Sequence, residues 1–308
     1  MKFQFDHNQD YQLEAIKAVI NVFKDQPLAK GDFQLSIGKG KGLFSSQIQT
    51  EKGFGNRLVI DDEVIFDNVK AIQKGHHITA AYPPDFKGKN FSIEMETGTG
   101  KTYVYLRSAF ELNAKYGFKK FIIVVPSVAI REGVLKSIEM MKEDFQALYN
   151  NVPFKHFVFD SKRLNKVKSF ATGNEFQIMV INIDSFNKKG NNVIYRTNDR
   201  MGGFKPVEFI QATNPIVIID EPQNVESDKA KKALLELNPL CTLRYSATHK
   251  DRYNLLYSLD PVKAYQRRLV KKISVASTIA DDDPNMAYFT DSSSVNNDSL
   301  VSWLWNFD

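Results

Sequence analysis

Cysteine is nearly missing from this chain: Cys241 is the only one in 308 residues. No internal disulfide can form, which fits a reducing compartment. Long apolar runs are missing too. The longest, around residues 121–130, is interrupted by Pro126 and is far too short to cross a bilayer. The opening residues Met1-Lys2-Phe3-Gln4-Phe5-Asp6-His7 are polar and hold no apolar signal core. These absences lead us to expect a cytoplasmic protein with no membrane partner. No internal repeat is present. Nor is there a strong excess of one charge: 41 Lys and Arg stand against 36 Asp and Glu, a formal net charge of +5. The sequence pI of about 9.0 mildly favours a polyanionic partner, a bias shared by many proteins that have none.

What is present is an ordinary globular composition, 43% hydrophobic and 25% charged, in a length that suits one large domain or two small ones. Residues 9–23 place Leu13, Ile16, Val19, Ile20 and Phe23 at helical spacing, which predicts an amphipathic helix. Residues 30–55, rich in Lys and in glycines (Gly38, Gly40, Gly42, Gly53, Gly55), read as loops with a small hairpin. A short helix is expected over 60–74, and Pro83-Pro84 closes this segment. From Phe91 the pattern becomes regular. Strands are expected at 91–95, 121–125, 156–159, 177–183, 216–219 and 242–245, and helices at 101–116, 128–145, 229–237 and 252–259. Short, fully apolar strands alternating with helices predict an α/β fold with a doubly wound, mostly parallel sheet covered on both faces. The expected division is an N-terminal helix and insertion over 1–90, the α/β domain over 91–277, and a polar C-terminal tail over 278–308. That tail carries Asp281-Asp282-Asp283, lacks Lys and Arg, ends in Trp303-Leu304-Trp305, and is expected to be poorly ordered.

The segment Met95 to Thr102 lies between an apolar strand and a helix, where a phosphate-binding loop belongs. Gly98 and Gly100 let the backbone curl so that successive amides face an anion, and the helix N-terminus adds partial positive charge. Lys101 can reach the β- and γ-phosphates of ATP, and the Thr102 hydroxyl can ligate Mg2+. Met95 occupies the first glycine position of the full G-x-x-x-x-G-K-[ST] spacing, so the match is to the shorter G-x-G-K-T with Glu96-Thr97 before it and Thr99 between the glycines. A chance Gly-Lys-Thr at a helix start is the plain alternative; the flanking strand and helix, and a second motif downstream, weigh against it. That second motif is Asp220-Glu221-Pro222-Gln223, which ends the apolar run 215–219. A buried strand delivers two adjacent carboxylates at its C-terminal end, the edge at which open α/β sheets bind ligands. Side chains alternate along a strand, so one acid can hold the metal while the other faces a water. Asp220 is assigned to magnesium and Glu221 to polarising the attacking water. Standing alone, such a pair before proline would be a capped strand end with two solvated acids. Tyr245-Ser246-Ala247-Thr248-His249 follows the next strand, where the Ser246 and Thr248 hydroxyls could couple a nucleotide site to a nucleic-acid site, or could form an ordinary turn.

In this order the pieces resemble superfamily 2 helicases and translocases of the DEAD/DEAH-like kind. That resemblance implies a RecA-like P-loop NTPase domain. Tyr11-Gln12-Leu13-Glu14-Ala15-Ile16 is similar to the group's adenine-reading glutamine segment, which makes Gln12 the adenine reader, with Gln9 the alternative. Residues 96–102 match motif I, and Val125-Pro126-Ser127-Val128-Ala129-Ile130-Arg131-Glu132-Gly133 looks like motif Ia. Asp220 to Gln223 stand at motif II and Ser246 to His249 at motif III, making Gln223, Ser246, Thr248 and His249 the coupling residues. The wording of residues 95–107, the Pro-Ser-Val-Ala-Ile-Arg-Glu-Gly run, Asp-Glu-Pro-Gln, Asn182-Ile183-Asp184-Ser185-Phe186-Asn187 and Val270 to Ser277 is closer still to the restriction (Res) subunit of type III restriction-modification enzymes. The resemblance covers about residues 3–277.

It implies ATP and Mg2+ as cofactors, double-stranded DNA and a DNA methyltransferase (modification) subunit as partners, and phosphate contacts from Ser127, Arg131, Asn182 and Ser185. Lys162-Arg163, Lys166 and Lys168 read instead as a solvated helix face. The family also implies a second RecA-like domain with motif VI arginines and a nuclease domain. Neither fits in the residues beyond His249, so the sequence is expected to be an N-terminal fragment, with nucleotide binding and feeble hydrolysis. A repair or remodelling helicase and a non-catalytic nucleotide- or DNA-binding remnant are the alternatives. A metabolic P-loop kinase would not need the Asp-Glu pair together with Ser-Ala-Thr.

Overall fold

The computed structural model describes residues 6–28, 30–37, 49–79, 89–187, 192–225 and 227–270, with short pieces at 277–278 and 288–289. Expectations for Gly38, Gly40, Gly42, Pro83-Pro84, residues 271–276 and nearly all of the acidic tail lie outside the described residues. The chain divides into two compact units, Met1–Pro261 and Val262–Asp308.

The first unit opens with α1 (Asp10–Asn21), which buries Ala15, Ile16, Val19 and Ile20 at helical spacing and carries Asp10 in its first turn. An antiparallel hairpin follows, β1 (Gly31–Ile37) with β2 (Gln49–Gly55), then α2 (Asp62–Gly75). The regular part comprises β3 (Asn90–Met95), α3 (Lys101–Tyr116), β4 (Lys120–Val125), α4 (Val128–Leu148), β5 (Phe154–Val158), α5 (Asn165–Thr172), β6 (Phe176–Asn182), α6 (Pro206–Ala212), β7 (Ile216–Asp220), α7 (Asp228–Leu235), β8 (Cys241–Ser246) and β9 (Tyr257–Leu259). The second unit holds the remainder of α8 (Pro261–Gln266) and a short antiparallel pair, β10 (Ser277–Thr278) with β11 (Tyr288–Phe289).

The seven-stranded sheet runs β5-β6-β4-β7-β8-β3-β9. Every pairing in it is parallel. This is the parallel α/β sheet that alternating strands and helices predict. Alternation divides the strand residues between two layers. Ile122, Val124, Met179, Ile181, Val217 and Ile219 face a core that includes Val167 and Phe170 of α5, Phe209 and Ile210 of α6, and Leu234 of α7. On the opposite face Phe110 of α3 packs on Phe145 of α4 at 4.8 Å and on Phe176 of β6 at 4.8 Å between ring centroids. Such strands, covered on both faces, read as unbroken apolar runs, which is why the sequence announced them.

Two expectations need correction. Residues 252–259 are not helical. Their backbone groups go to β3 instead of to the preceding turn: Ser92 donates to the Tyr253 carbonyl at 2.8 Å and Leu256 donates to Ser92 at 2.9 Å. Tyr257–Leu259 then pairs with Ile93–Met95 as the edge strand β9. Helix α6 went unforeseen, although Lys205-Pro206-Val207-Glu208 carries a start signal: proline opens it and the Glu208 carboxylate accepts from the Lys205 amide at 2.7 Å. Among the described residues no helix is long and apolar enough to cross a membrane.

At the sheet edge away from the strand C-termini, Asn56 closes the junction between the hairpin and the sheet. Its carboxamide donates to the carbonyls of Lys120 at 2.8 Å and Asn214 at 3.1 Å, and accepts from the amide of Lys119 at 2.7 Å. Asn56 is 3% exposed, so its removal leaves buried polar backbone groups without water. Asn56→Ala is expected to cost about 2–4 kcal/mol in urea unfolding, whereas Asn68→Ala, which loses hydrogen bonds at a partly exposed helix face, should cost about 1 kcal/mol or less.

Candidate active site

Strand order builds this site. β3, β8 and β7 lie side by side, in register at Glu94 with Ser246 and at Asp220 with Tyr245, so their C-terminal ends reach one edge together. Adjacent strands are ~4.8 Å apart, which puts the ends of β3 and β7 ~10 Å from each other with β8 between them. A lysine side chain can bridge that gap.

The phosphate loop leaves β3 and curls through two left-handed glycines, Gly98 at φ +81° and Gly100 at φ +89°. Glu96 shapes the turn: its carboxylate accepts from the Thr97 amide at 2.8 Å, and its carbonyl accepts from the Thr99 hydroxyl at 2.6 Å. Thr97 and Gly98 face solvent, and a Cβ at Gly98 would have nothing within 4 Å. At Gly100 a Cβ would come 2.5 Å from Gln12 Nε2. Gln12 itself is 9% exposed. Its amide donates to the Thr99 carbonyl at 3.1 Å, so α1 grips the loop from behind through the residue expected to read adenine.

Lys101 sits at the first position of α3, and its Nζ lies 2.8 Å from Glu221 Oε1. Glu221 adopts φ +55°, a conformation that costs a non-glycine residue on the order of 1 kcal/mol or more. Its amide donates to the Tyr245 carbonyl at 3.0 Å, which holds the turn. The carboxylate then collects donors. Gln223 Nε2 reaches Oε2 at 2.8 Å and the Ser246 hydroxyl approaches it at 3.1 Å. Ser246 also lies 2.9 Å from Gln223 Oε1 and accepts from the Thr248 amide at 3.2 Å. Two of the four expected coupling residues, Gln223 and Ser246, thus meet Glu221 directly, and Thr248 joins them through Ser246. The fourth, His249, turns away, its Nε2 lying 3.1 Å from the carbonyl of Ile93 in β3.

The two acids differ electrostatically. Burial, then the charge of adjoining Glu221, pushes the Asp220 carboxyl up from 3.8 to about 6, against the pull of Lys101 and Tyr105. Burial also acts upward on Glu221, but the bonds from Lys101, Gln223 and Ser246 outweigh it and hold that carboxyl below its usual range. The donor set suits a magnesium nucleotide: an ammonium and a helix N-terminus for phosphates, and a threonine hydroxyl with carboxylate oxygens for a hard cation. Among the described residues no group of three or more His, Cys, Asp or Glu could hold a metal unaided. Magnesium takes few protein ligands.

The candidate DNA contacts lie farther along the same edge, beyond β7. The Ser127 hydroxyl caps α4 by accepting from Ile130 at 3.3 Å. Asn182, at the end of β6 and in register with Val125, accepts from Asp184 at 3.0 Å. Arg131 and Ser185 share a cavity of about 720 Å³ with Glu132, Asp160, Arg163 and Lys166. Arg163 and Lys166, expected to belong to a solvated helix face, therefore line a cleft beside two of the expected contacts. Two further residues escaped detection in the sequence. Arg252 reaches the buried Glu94 carboxylate at 2.9 Å, tying the segment after motif III to the strand that carries the phosphate loop. Tyr105, one turn beyond Lys101, faces Asp220 at 3.5 Å; its helical spacing from Lys101 was the available signal.

Comparison with known proteins gives a consistent family. The family described as "Type III restriction enzyme, res subunit" matches residues 7–251. The Res subunit of the type III restriction-modification enzyme EcoPI from Escherichia phage P1 is 28% identical over 88% of this chain and 29% of its own length. The EcoP15I Res subunit of Escherichia coli is 30% identical over the same shares, 88% and 29%. The StyLTI Res subunit of Salmonella typhimurium is 30% identical over 66% of this chain and 24% of its own. The chain thus spans about three tenths of the length of the first two relatives.

The raised Asp220 pKa has a consequence for stability. Because the folded value of about 6 exceeds the ordinary 3.8, the folded protein holds this proton more tightly than the unfolded chain. Stability is therefore lost as pH rises through that window, and the penalty is complete above it. Asp220→Asn should be more stable to urea unfolding than the native chain at about pH 7.5, by on the order of 2 kcal/mol, with the gain vanishing near pH 4.

Proposed function

The chain belongs to the family of type III restriction enzyme Res subunits, and from that premise we propose that its first unit is the ATP-binding motor domain of a DNA-dependent ATPase, the restriction subunit of a site-specific endonuclease. The observation that best supports this is the 2.8 Å contact between Lys101 and Glu221. Two segments far apart in sequence meet in one crevice, where a single triphosphate and its attacking water could reach both. The family match over residues 7–251 favours restriction over a repair or remodelling helicase.

In this reading Lys101, the Thr97–Gly100 loop and the α3 N-terminus hold the phosphates. Thr102 and Asp220 would hold magnesium, which would supply charge neutralisation to the phosphates. When ATP enters, Lys101 exchanges Glu221 for phosphate oxygens. Glu221, kept anionic and oriented by Gln223 and Ser246, is then released to accept a proton from the water aligned for in-line attack. Gln12 joins the adenine side of the pocket to the loop backbone. Fast turnover requires an arginine from a second RecA-like domain, a contribution of about 10³-fold or more in related motors. DNA runs along the outer part of the edge, past Ser127, Arg131, Asn182 and Ser185. Arg163 and Lys166, which line the same cleft as Arg131 and Ser185, extend this proposed path. Contacts of this kind follow phosphates and carry no base sequence; in this reading a methyltransferase partner reads the target.

Two measurements test these assignments. Lys101→Ala should weaken magnesium–ATP binding by about 10-fold or more and abolish any DNA-stimulated phosphate release from the purified chain; undiminished release would overturn the site. Arg163→Glu with Lys166→Glu should leave ATP affinity intact, weaken duplex DNA binding, and reduce the slope of log affinity against log salt by about 2. An unchanged slope would remove these residues from the path.

A further inference from the structure

A buried phenol stands behind the two residues assigned to magnesium. Tyr105 lies on α3 and is fully buried. Its hydroxyl faces Asp220 Oδ2 at 3.5 Å and also engages the Thr102 side chain. The ring is gripped edge-on by Tyr245, with 5.6 Å between centroids and 60° between planes. Tyr245 is the β8 partner of Asp220, and its own hydroxyl lies 3.4 Å from Ser108 Oγ, back on α3. The Tyr245 ring, itself tied back to α3, therefore backs the Tyr105 ring.

Buried phenols require hydrogen-bond partners. Both partners here are side chains expected to touch the same ion. The phenol donates its one proton to Asp220, so toward the Thr102 hydroxyl it can only accept. A Thr102 hydroxyl that donates there keeps its lone pairs for coordination. Occupation of Asp220 Oδ2 limits rotation of that carboxylate and leaves Oδ1 for the cation.

We propose that Tyr105 is a positioning residue for the magnesium–nucleotide complex, a hydroxyl bridge that sets the Thr102 and Asp220 side chains in the orientations the cation needs. This rests on the assignment of Asp220 and Thr102 to magnesium made above. Partners of metal ligands typically change metal affinity about 10–100-fold when removed. A residue that merely fills the core would not separate metal-dependent from metal-independent binding.

The experiment titrates magnesium against the chain with a fluorescent ADP analogue, and repeats nucleotide binding in EDTA. Tyr105→Phe keeps the ring and removes only the hydroxyl. It should bind nucleotide in EDTA as the native chain does, while its magnesium half-saturation rises by about 10-fold. Tyr105→Met, which fills the space without ring or hydroxyl, should show the same rise. Native EDTA binding shows that either variant is folded. An unchanged magnesium half-saturation in a folded variant overturns the proposal. Asp220→Asn separates this from failure of the underlying reading. If native binding does not depend on magnesium, or Asp220→Asn does not alter that dependence, the metal assignment fails. If Asp220→Asn alters it and Tyr105→Phe does not, only the bridge fails.

Discussion

The Lys101–Glu221 contact exists because parallel strands end at one edge. Phosphate loop, acidic pair and Ser246 turn each follow a different strand, and only an all-parallel arrangement of β3, β8 and β7 delivers all three to the same side. An antiparallel β8 would carry Ser246 to the opposite edge and leave Glu221 without its hydrogen-bond partner. Neighbours in the sheet therefore decide the chemistry before any side chain does. The supporting layers serve that alignment: α3 and α4 on one face, α5 to α7 on the other, with Asn56 closing the far edge.

The site is assembled at a cost to stability. Two adjacent carboxylates, one of them in a left-handed backbone conformation, are kept together where burial disfavours charge. The opposing influences do not fall equally. Glu221 collects the ammonium, an amide and a hydroxyl, whereas Asp220 has a distant phenol and a neighbour of like charge. That inequality separates an acid held ionised and oriented by its donors from one whose charge is poorly balanced. Clustered strain and perturbed acids of this kind characterise sites shaped for ligands.

Connections outward from the site run through backbone as much as through side chains. Gln12 holds the loop by the Thr99 carbonyl, His249 meets the Ile93 carbonyl, and Arg252 binds Glu94. All three attach to β3 or the loop it carries, from segments before and after it in sequence. The cleft with Arg131, Arg163 and Lys166 lies along the same edge but shares no residue with the phosphate loop.

Local pattern decided much of this molecule. Strand cores such as Phe121 to Val125, the limits of α3, the phosphate loop and the Asp220-Glu221 pair could be read directly, because each depends on contiguous residues and on a repeat of two or 3.6. The same rule misled at 252–259, where Leu255, Leu256 and Leu259 suit a helix but the backbone bonds to β3, a strand more than a hundred residues earlier. Strand order, the bridge from Tyr105 to Asp220, the grip of Gln12 on the loop, and the place of Arg163 and Lys166 on a cleft wall were decided only by tertiary structure. Each is a contact between distant segments, and periodicity along a chain carries no record of which strand will lie beside which.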